Sequence, residues 1–133
     1  MPSVHFVEDY ERNVDKFLSH HPLDEAMQLA VGGHFDLISG IEVDIITAAG
    51  LTPEMSVLDL GCGSGRTAIP LATIFPKIDY TGIDVVQRLL DYATSKCPPH
   101  FRFLCHQDVT IPLPDGRIDI TIAFSLFVHA SSA

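Results

Sequence analysis

Val57-Leu58-Asp59-Leu60-Gly61-Cys62-Gly63-Ser64-Gly65 runs from an apolar segment straight into three alternating glycines. The short apolar run Ser56–Leu60, ended by glycines, reads as a buried strand. A glycine-rich turn after a strand lets a ligand approach the backbone without interference from Cβ, and it aims the N–H groups of a following helix at that ligand. The third glycine comes one residue too early for GxGxxG, and Arg66 stands where that glycine would be. Asp59 precedes the first glycine by two positions. A carboxylate there repels a pyrophosphate, but it can order the loop and receive a cation such as an ammonium.

Downstream, the chain alternates. Residues 66–75 read as a helix with Pro70 in its first turn, where a tightened or kinked start is expected. Residues 78–83 form a second strand, and residues 86–96 a helix with Val86, Leu89, Leu90 and Ala93 on one face, stopped by Pro98-Pro99. Residues 101–105 form a third strand. Pro114-Asp115-Gly116 is a turn signal. Ile118, Ile120, Ile122 and Phe124 alternate with Asp119, Thr121 and Ala123 in a fourth strand. Upstream, residues 8–20 and 23–31 read as two small helices broken at Pro22, followed by Gly32-Gly33. From His34 to Ala49 the positions Phe35, Ile38, Ile41, Ile45 and Ala49 fall three or four apart, one apolar face of a helix. Gly50 stands where a left-handed cap is wanted, and Pro53 forbids continuation. The expected fold is a Rossmann-like, doubly wound α/β arrangement with a mostly parallel sheet, with residues 1–52 as a helical cap and 53–133 as the ligand-binding unit.

The length of 133 residues suits one ordinary domain, and 47% hydrophobic content excludes a disordered chain. No apolar run is long enough to span a membrane, and residues 1–13 lack the order of a signal peptide. The net charge of −9 argues against a polyanion partner such as nucleic acid. Ten acids and two bases lie in residues 1–54. This acidic front reads chiefly as solvated helical surface. Cys62, Cys97 and Cys105 are odd in number and without framework spacing, so reduced thiols in a cytoplasmic setting are expected. Cys97, His100, Cys105 and His106 lack a paired CxxC or HxxxH spacing, and no metal is expected there. Cys62 has no basic partner near it in sequence and reads as a small packed residue.

Asp84 ends the second strand about twenty residues after the glycine loop, where a carboxylate accepts the hydroxyls of a ribose. Gln107-Asp108-Val109 follows the third strand, where an acid can accept the exocyclic amine of adenine. Loop, ribose acid and adenine acid together describe a site for an adenosine with a positively charged tail.

VLDLGCGSGR, GIDVV and HQDVTIPLPDGRIDITIAFSLFVH, in register over roughly residues 34–129, resemble the class I S-adenosylmethionine-dependent methyltransferases, especially those acting on small molecules. The resemblance implies S-adenosyl-L-methionine as cofactor. Asp59, Gly61, Cys62, Gly63 and Gly65 would border its methionine and ribose portions. Asp84 with Val85 would hold the ribose, Gln107, Asp108 and Val109 the adenine, and Phe124-Ser125 the methionine side. Gly32-Gly33 would approach the cofactor carboxylate, and the helices before Pro53 match the family's variable cap. His129, after the fourth strand, is the candidate general base, needed only if the acceptor arrives protonated.

Complete members have seven strands, whereas about four are legible here. The fourth strand, central in the family, would be left as an edge to be covered by the remainder of a longer protein or by a second copy in a homodimer. Three readings follow. They are a methyltransferase with a small-molecule acceptor, a non-catalytic cofactor-binding unit paired through that edge, and a nicotinamide-dependent oxidoreductase, the last disfavoured by Asp59 and the glycine spacing.

Overall fold

The computed structural model describes residues 2–31, 35–106 and 118–124. Their order is α1 (Pro2–His20), α2 (Leu23–Ala30), α3 (Phe35–Ala48), β1 (Ser56–Leu60), α4 (Ala68–Ile74), β2 (Asp79–Asp84), α5 (Gln87–Lys96), β3 (Arg102–Cys105) and β4 (Ile120–Ile122). All four strands are parallel, in the order β3-β2-β1-β4. In β1 the neighbours Val57 and Leu58 are both buried, which is why that strand reads as a continuous apolar run rather than an alternation. The crossovers β1-α4-β2 and β2-α5-β3 step the same way across the sheet, so right-handed connections place α4 and α5 on one face. The next step returns past β1 to β4. The order in which strands are added therefore reverses between β1 and β4, and the glycine loop leaves the carboxyl end of β1 at that switch point, where open α/β sheets bind ligands.

Residues Ser56–Leu60 form the expected strand without adjustment, and α5 and β3 begin one residue later than expected. Helix α1 begins at Pro2 rather than residue 8, since proline at a first helical position lacks only a donor that would have no intrahelical acceptor. Pro70 is accommodated by the same argument in the first turn of α4. The fourth strand is shorter than the alternation over residues 118–124 suggests. Its ladder spans three residues, from Val57 opposite Ile120 to Asp59 opposite Ile122, and stops one residue before β1 ends. Asp119 pins the other end: its carboxylate accepts the Ser56 N–H at 2.8 Å, and its own N–H donates to the Ser56 carbonyl at 3.0 Å. Among the described residues β4 is an edge.

The face of α3 differs from the expected one. Ser39, Glu42, Val43 and Ile46 are buried, whereas Leu37, Ile41 and Ile45 are 65%, 48% and 51% exposed. The helix is turned because Ser39 and Glu42 reach polar partners at the start of α4, and Val43 and Ile46 then join the core cluster with Leu51, Val57, Leu71 and Tyr80. Gly50 takes the left-handed conformation at φ 101°, as the cap requires. A second cluster joins the N-terminal helices to α5 through Val14, Met27, Val86, Leu89 and Tyr92. Part of the acidic front is paired rather than merely solvated: Arg88 bridges to Asp15 and donates to the Glu11 carbonyl, and Lys96 lies 3.6 Å from Asp24. No described helix is long and apolar enough to cross a membrane.

This packing predicts an inversion of the usual ranking of substitutions. Ile46→Val, which trims one methyl group from the core, is expected to cost about 1 kcal/mol. The cruder Ile45→Ser is expected to stay within about 0.5 kcal/mol of the parent. Urea unfolding of the two variants checks it, and a larger loss for Ile45→Ser would reject this orientation of α3.

Candidate functional site

The loop is held from below by the end of β2. Gly61 and Cys62 donate their N–H groups to the Ile83 carbonyl at 2.8 and 3.1 Å. The Gly63 N–H donates to Asp84 Oδ2 at 2.8 Å. The other oxygen, Asp84 Oδ1, accepts the N–H groups of Val85 at 2.7 Å and Val86 at 3.3 Å. Asp84 thus sits where the loop and the first turn of α5 converge, and it is the residue that joins them. Gly63 adopts φ 57°, a left-handed conformation, and a Cβ there would lie 2.6 Å from Val31 Cγ1. Both its backbone angle and its neighbour require glycine.

Asp59 lies beneath this loop, 3% exposed, and accepts a hydrogen bond from the Tyr80 hydroxyl at 2.5 Å. The parallel register explains the pairing. Val57 stands opposite Tyr80 and Asp59 opposite Gly82, so all four share a face. The missing side chain at Gly82 lets the Tyr80 ring extend along the sheet towards Asp59. A Cβ at Gly82 would lie 3.1 Å from Tyr80 Cε1 and 2.8 Å from Cys62 Sγ. Phe101 stacks on the Tyr80 ring at a centroid distance of 5.0 Å and fixes it from the other side. Burial pushes the Asp59 carboxyl up to about 7; the Tyr80 hydrogen bond opposes the rise, and the charges of Glu42 and Asp84 add to it.

Cys62 is buried, and burial first, then the charges of Asp59 and Asp84, raise its thiol well above the ordinary range. It is a packed thiol and not an activated nucleophile. Among the described residues no group of three or more His, Cys, Asp or Glu is arranged to hold a metal ion.

The structure therefore brings Asp59, Gly61, Cys62, Gly63, Gly65, Asp84 and Val85 together at the carboxyl end of β1 and β2. Phe124 is half-buried against the core cluster that contains Val57 and Ile122. Gln107, Asp108, Val109, Ser125, His129 and Gly32-Gly33 lie outside the described residues. Three groups escaped sequence reasoning. Tyr80 was detectable only from its spacing to Gly82 once the strand register was known. Glu42 was masked by its apolar neighbours in α3. Tyr10 of α1 lies within reach of the Asp84 charge: burial first and that carboxylate second push its hydroxyl up to about 12. Around the loop the N–H groups of Gly61, Cys62 and Gly63 are taken up by Ile83 and Asp84, Arg66 is paired to Glu42, and Asp84 supplies a carboxylate at the sheet edge. Such a set fits a nucleoside with a cationic tail and opposes a pyrophosphate.

Residues 57–133 match a family described as a methyltransferase domain. The tRNA N(3)-cytidine methyltransferase METTL2 of Gallus gallus is 29% identical over 82 residues, 55% of this chain and 22% of its own length. The chain thus spans about a quarter or less of such curated relatives. A SAM-dependent methyltransferase from Aquifex aeolicus superposes with a TM-score of 0.53 at 28% identity, over 61% of this chain and 46% of that one. A SAM-dependent methyltransferase from Geobacter sulfurreducens, solved with S-adenosyl-L-homocysteine, gives 0.52 at 26% identity, over 61% and 34%.

Proposed function

Because the chain belongs to the methyltransferase-domain family, we propose that it binds S-adenosyl-L-methionine between the glycine loop and Asp84 and serves in methyl transfer to an acceptor. The observation that carries this reading is the bond from the Gly63 N–H to Asp84 Oδ2. It couples the loop that would admit the cofactor backbone to the carboxylate that would accept the ribose hydroxyls. Asp84 supplies a carboxylate at the loop, whereas Glu42 is neutralised by Arg66, and a negative edge favours a sulfonium and an ammonium. The cofactor supplies an already activated methyl group. The work of the protein is to align acceptor, methyl carbon and sulfur and to exclude water. Gln107, Asp108 and Val109 would complete the adenine side and Phe124-Ser125 the methionine side, with His129 the candidate base for a protonated acceptor.

A small-molecule acceptor is the reading that the charge supports. Residues 1–54 carry two bases against ten acids, a net −8, within a total of −9. A nucleic-acid acceptor is the second reading, favoured by the 29% identity to a tRNA N(3)-cytidine methyltransferase, of which the matched segment is 22%. The odd number and irregular spacing of Cys62, Cys97 and Cys105 are what support a cytoplasmic setting.

Calorimetric titration with S-adenosylhomocysteine tests the cofactor. Binding at about micromolar Kd is expected, near −8 kcal/mol, with none for NADH; the reverse preference would reject the reading. Transfer of a tritiated methyl group, with tRNA and low-molecular-weight fractions as competing acceptors, then separates the two acceptor classes. Binding without transfer to either would favour a cofactor-binding unit paired through the β4 edge.

A further inference from the structure

Two side chains of the glycine loop segment engage the N-terminal helices. Ser64, fully buried, donates its hydroxyl to the Met27 carbonyl at 2.8 Å. Arg66 donates through Nη1 to the Val31 carbonyl at 2.7 Å and pairs through Nη2 with Glu42 Oε1 at 2.9 Å. Met27 lies in the last turn of α2 and Val31 is its C-cap. The last four carbonyls of a helix lack intrahelical donors, and the negative end of the helix dipole lies there. Helix α2 has no basic residue in its own last turn. Its carboxyl end is therefore capped in trans, by a hydroxyl and a guanidinium supplied from the loop. Glu42 closes the arrangement from α3, accepting both Arg66 and the Thr67 hydroxyl, while Ser39 donates to the Arg66 carbonyl. Val31 then fills the space beside Gly63, whose N–H is committed to Asp84.

We propose that Ser64 and Arg66 are positioning residues that lock the glycine loop onto the carboxyl end of α2, so that shaping the loop for the cofactor and docking the N-terminal helices are one event. The residue that replaces the third glycine of a dinucleotide motif thus has a task of its own. Arg66 ties loop to cap, and Glu42 orients Arg66. The affinity consequences rest on the cofactor assignment made above; the coupling between loop and helix does not.

Two measurements separate those claims. In the ligand-free protein, hydrogen exchange at residues 23–31 and 61–65 is expected to rise together in Arg66→Gln, while the amides of β2 and β3 keep their protection. Exchange that rises in α2 alone would overturn the coupling, whether or not the chain binds S-adenosylhomocysteine. For affinity, Arg66→Gln is expected to raise the S-adenosylhomocysteine Kd about tenfold. Arg66→Lys should recover most of that loss, because it restores a cation at the end of α2. Glu42→Gln combined with Arg66→Gln should be no worse than Arg66→Gln alone, since the two act as a unit. A lowered Tm with unchanged Kd would mean that the contacts only stabilise the fold and would overturn the positioning role. Failure of the parent protein to bind would reject the cofactor assignment instead, leaving the exchange result to decide the coupling. Should Arg66→Gln not fold, Ser64→Ala, which removes one hydroxyl, carries the same two readouts.

Discussion

Asp84→Ala is expected to weaken S-adenosylhomocysteine binding by at least about a hundredfold. Charge-assisted hydrogen bonds contribute about 1.5–3 kcal/mol each, and the substitution removes both the proposed ribose acceptor and the acceptor of the Gly63 N–H. The N–H groups of Val85 and Val86 lose their partner as well, so the first turn of α5 loosens where the loop leans on it. A hundredfold loss corresponds to about 2.7 kcal/mol, within what two such bonds supply. Asp84→Asn keeps an oxygen for Gly63 and forfeits only charge and one acceptor, so about a tenfold loss is expected for it. Calorimetric titration of both variants beside the parent decides the matter. Parental affinity in Asp84→Ala would remove Asp84 from the site, and equal losses in both variants would mean that charge alone matters.

The second large effect is on stability and concerns Asp59. Its carboxyl is raised from the usual 3.8 to about 7, chiefly by burial. Below about pH 4 the folded and unfolded chains both carry the proton. Between there and about pH 7 the unfolded chain has released it while the folded chain retains it, so each pH unit subtracts about 1.4 kcal/mol from stability. The contribution is therefore fully present in acid and lost as the pH rises through 7, a cost on the order of a few kcal/mol. Asp59→Asn keeps the shape, and its carbonyl oxygen still accepts the Tyr80 hydroxyl. The variant is expected to lose this pH dependence and to be more stable than the parent at pH 8 by a few kcal/mol, with the difference shrinking towards pH 5. Urea unfolding of both proteins at the two pH values measures it. The difference between them cancels the other carboxylates, including exposed Asp24, which the Tyr92 hydroxyl and Lys96 hold lower. A constant difference across that range would show that Asp59 is ionised throughout.

The parts of the candidate site that were legible beforehand are those whose chemistry is local. Asp59, the three glycines and Asp84 lie at the ends of two strands whose apolar runs announce themselves, and a glycine turn after a strand can be aimed nowhere but at the sheet edge. The orientation of α3 was not legible. Phe35, Ile38, Ile41 and Ile45 form a plausible apolar stripe, yet Ile41 and Ile45 are exposed and Glu42 is buried. A helical period identifies candidate faces, but a buried carboxylate with a guanidinium and a hydroxyl waiting for it reverses the choice between them. The extent of β4 failed for a related reason. Alternation over seven residues describes what the strand could do, whereas its ladder is set by pairing with β1, which stops at Asp59.

From sequence alone came the order of elements, the parallel α/β class, and the position of the glycine loop between a strand and a helix, because periodicity, glycine and proline act within a few residues of themselves. Tertiary structure alone decided that Tyr80 holds Asp59 across the open face of Gly82, that Gly63 binds Asp84, and that Arg66 and Ser64 cap α2. Each of these contacts joins groups 21 to 37 residues apart. They exist only because the strand register and the docking of helices bring polar atoms, buried and in need of partners, to within hydrogen-bonding distance.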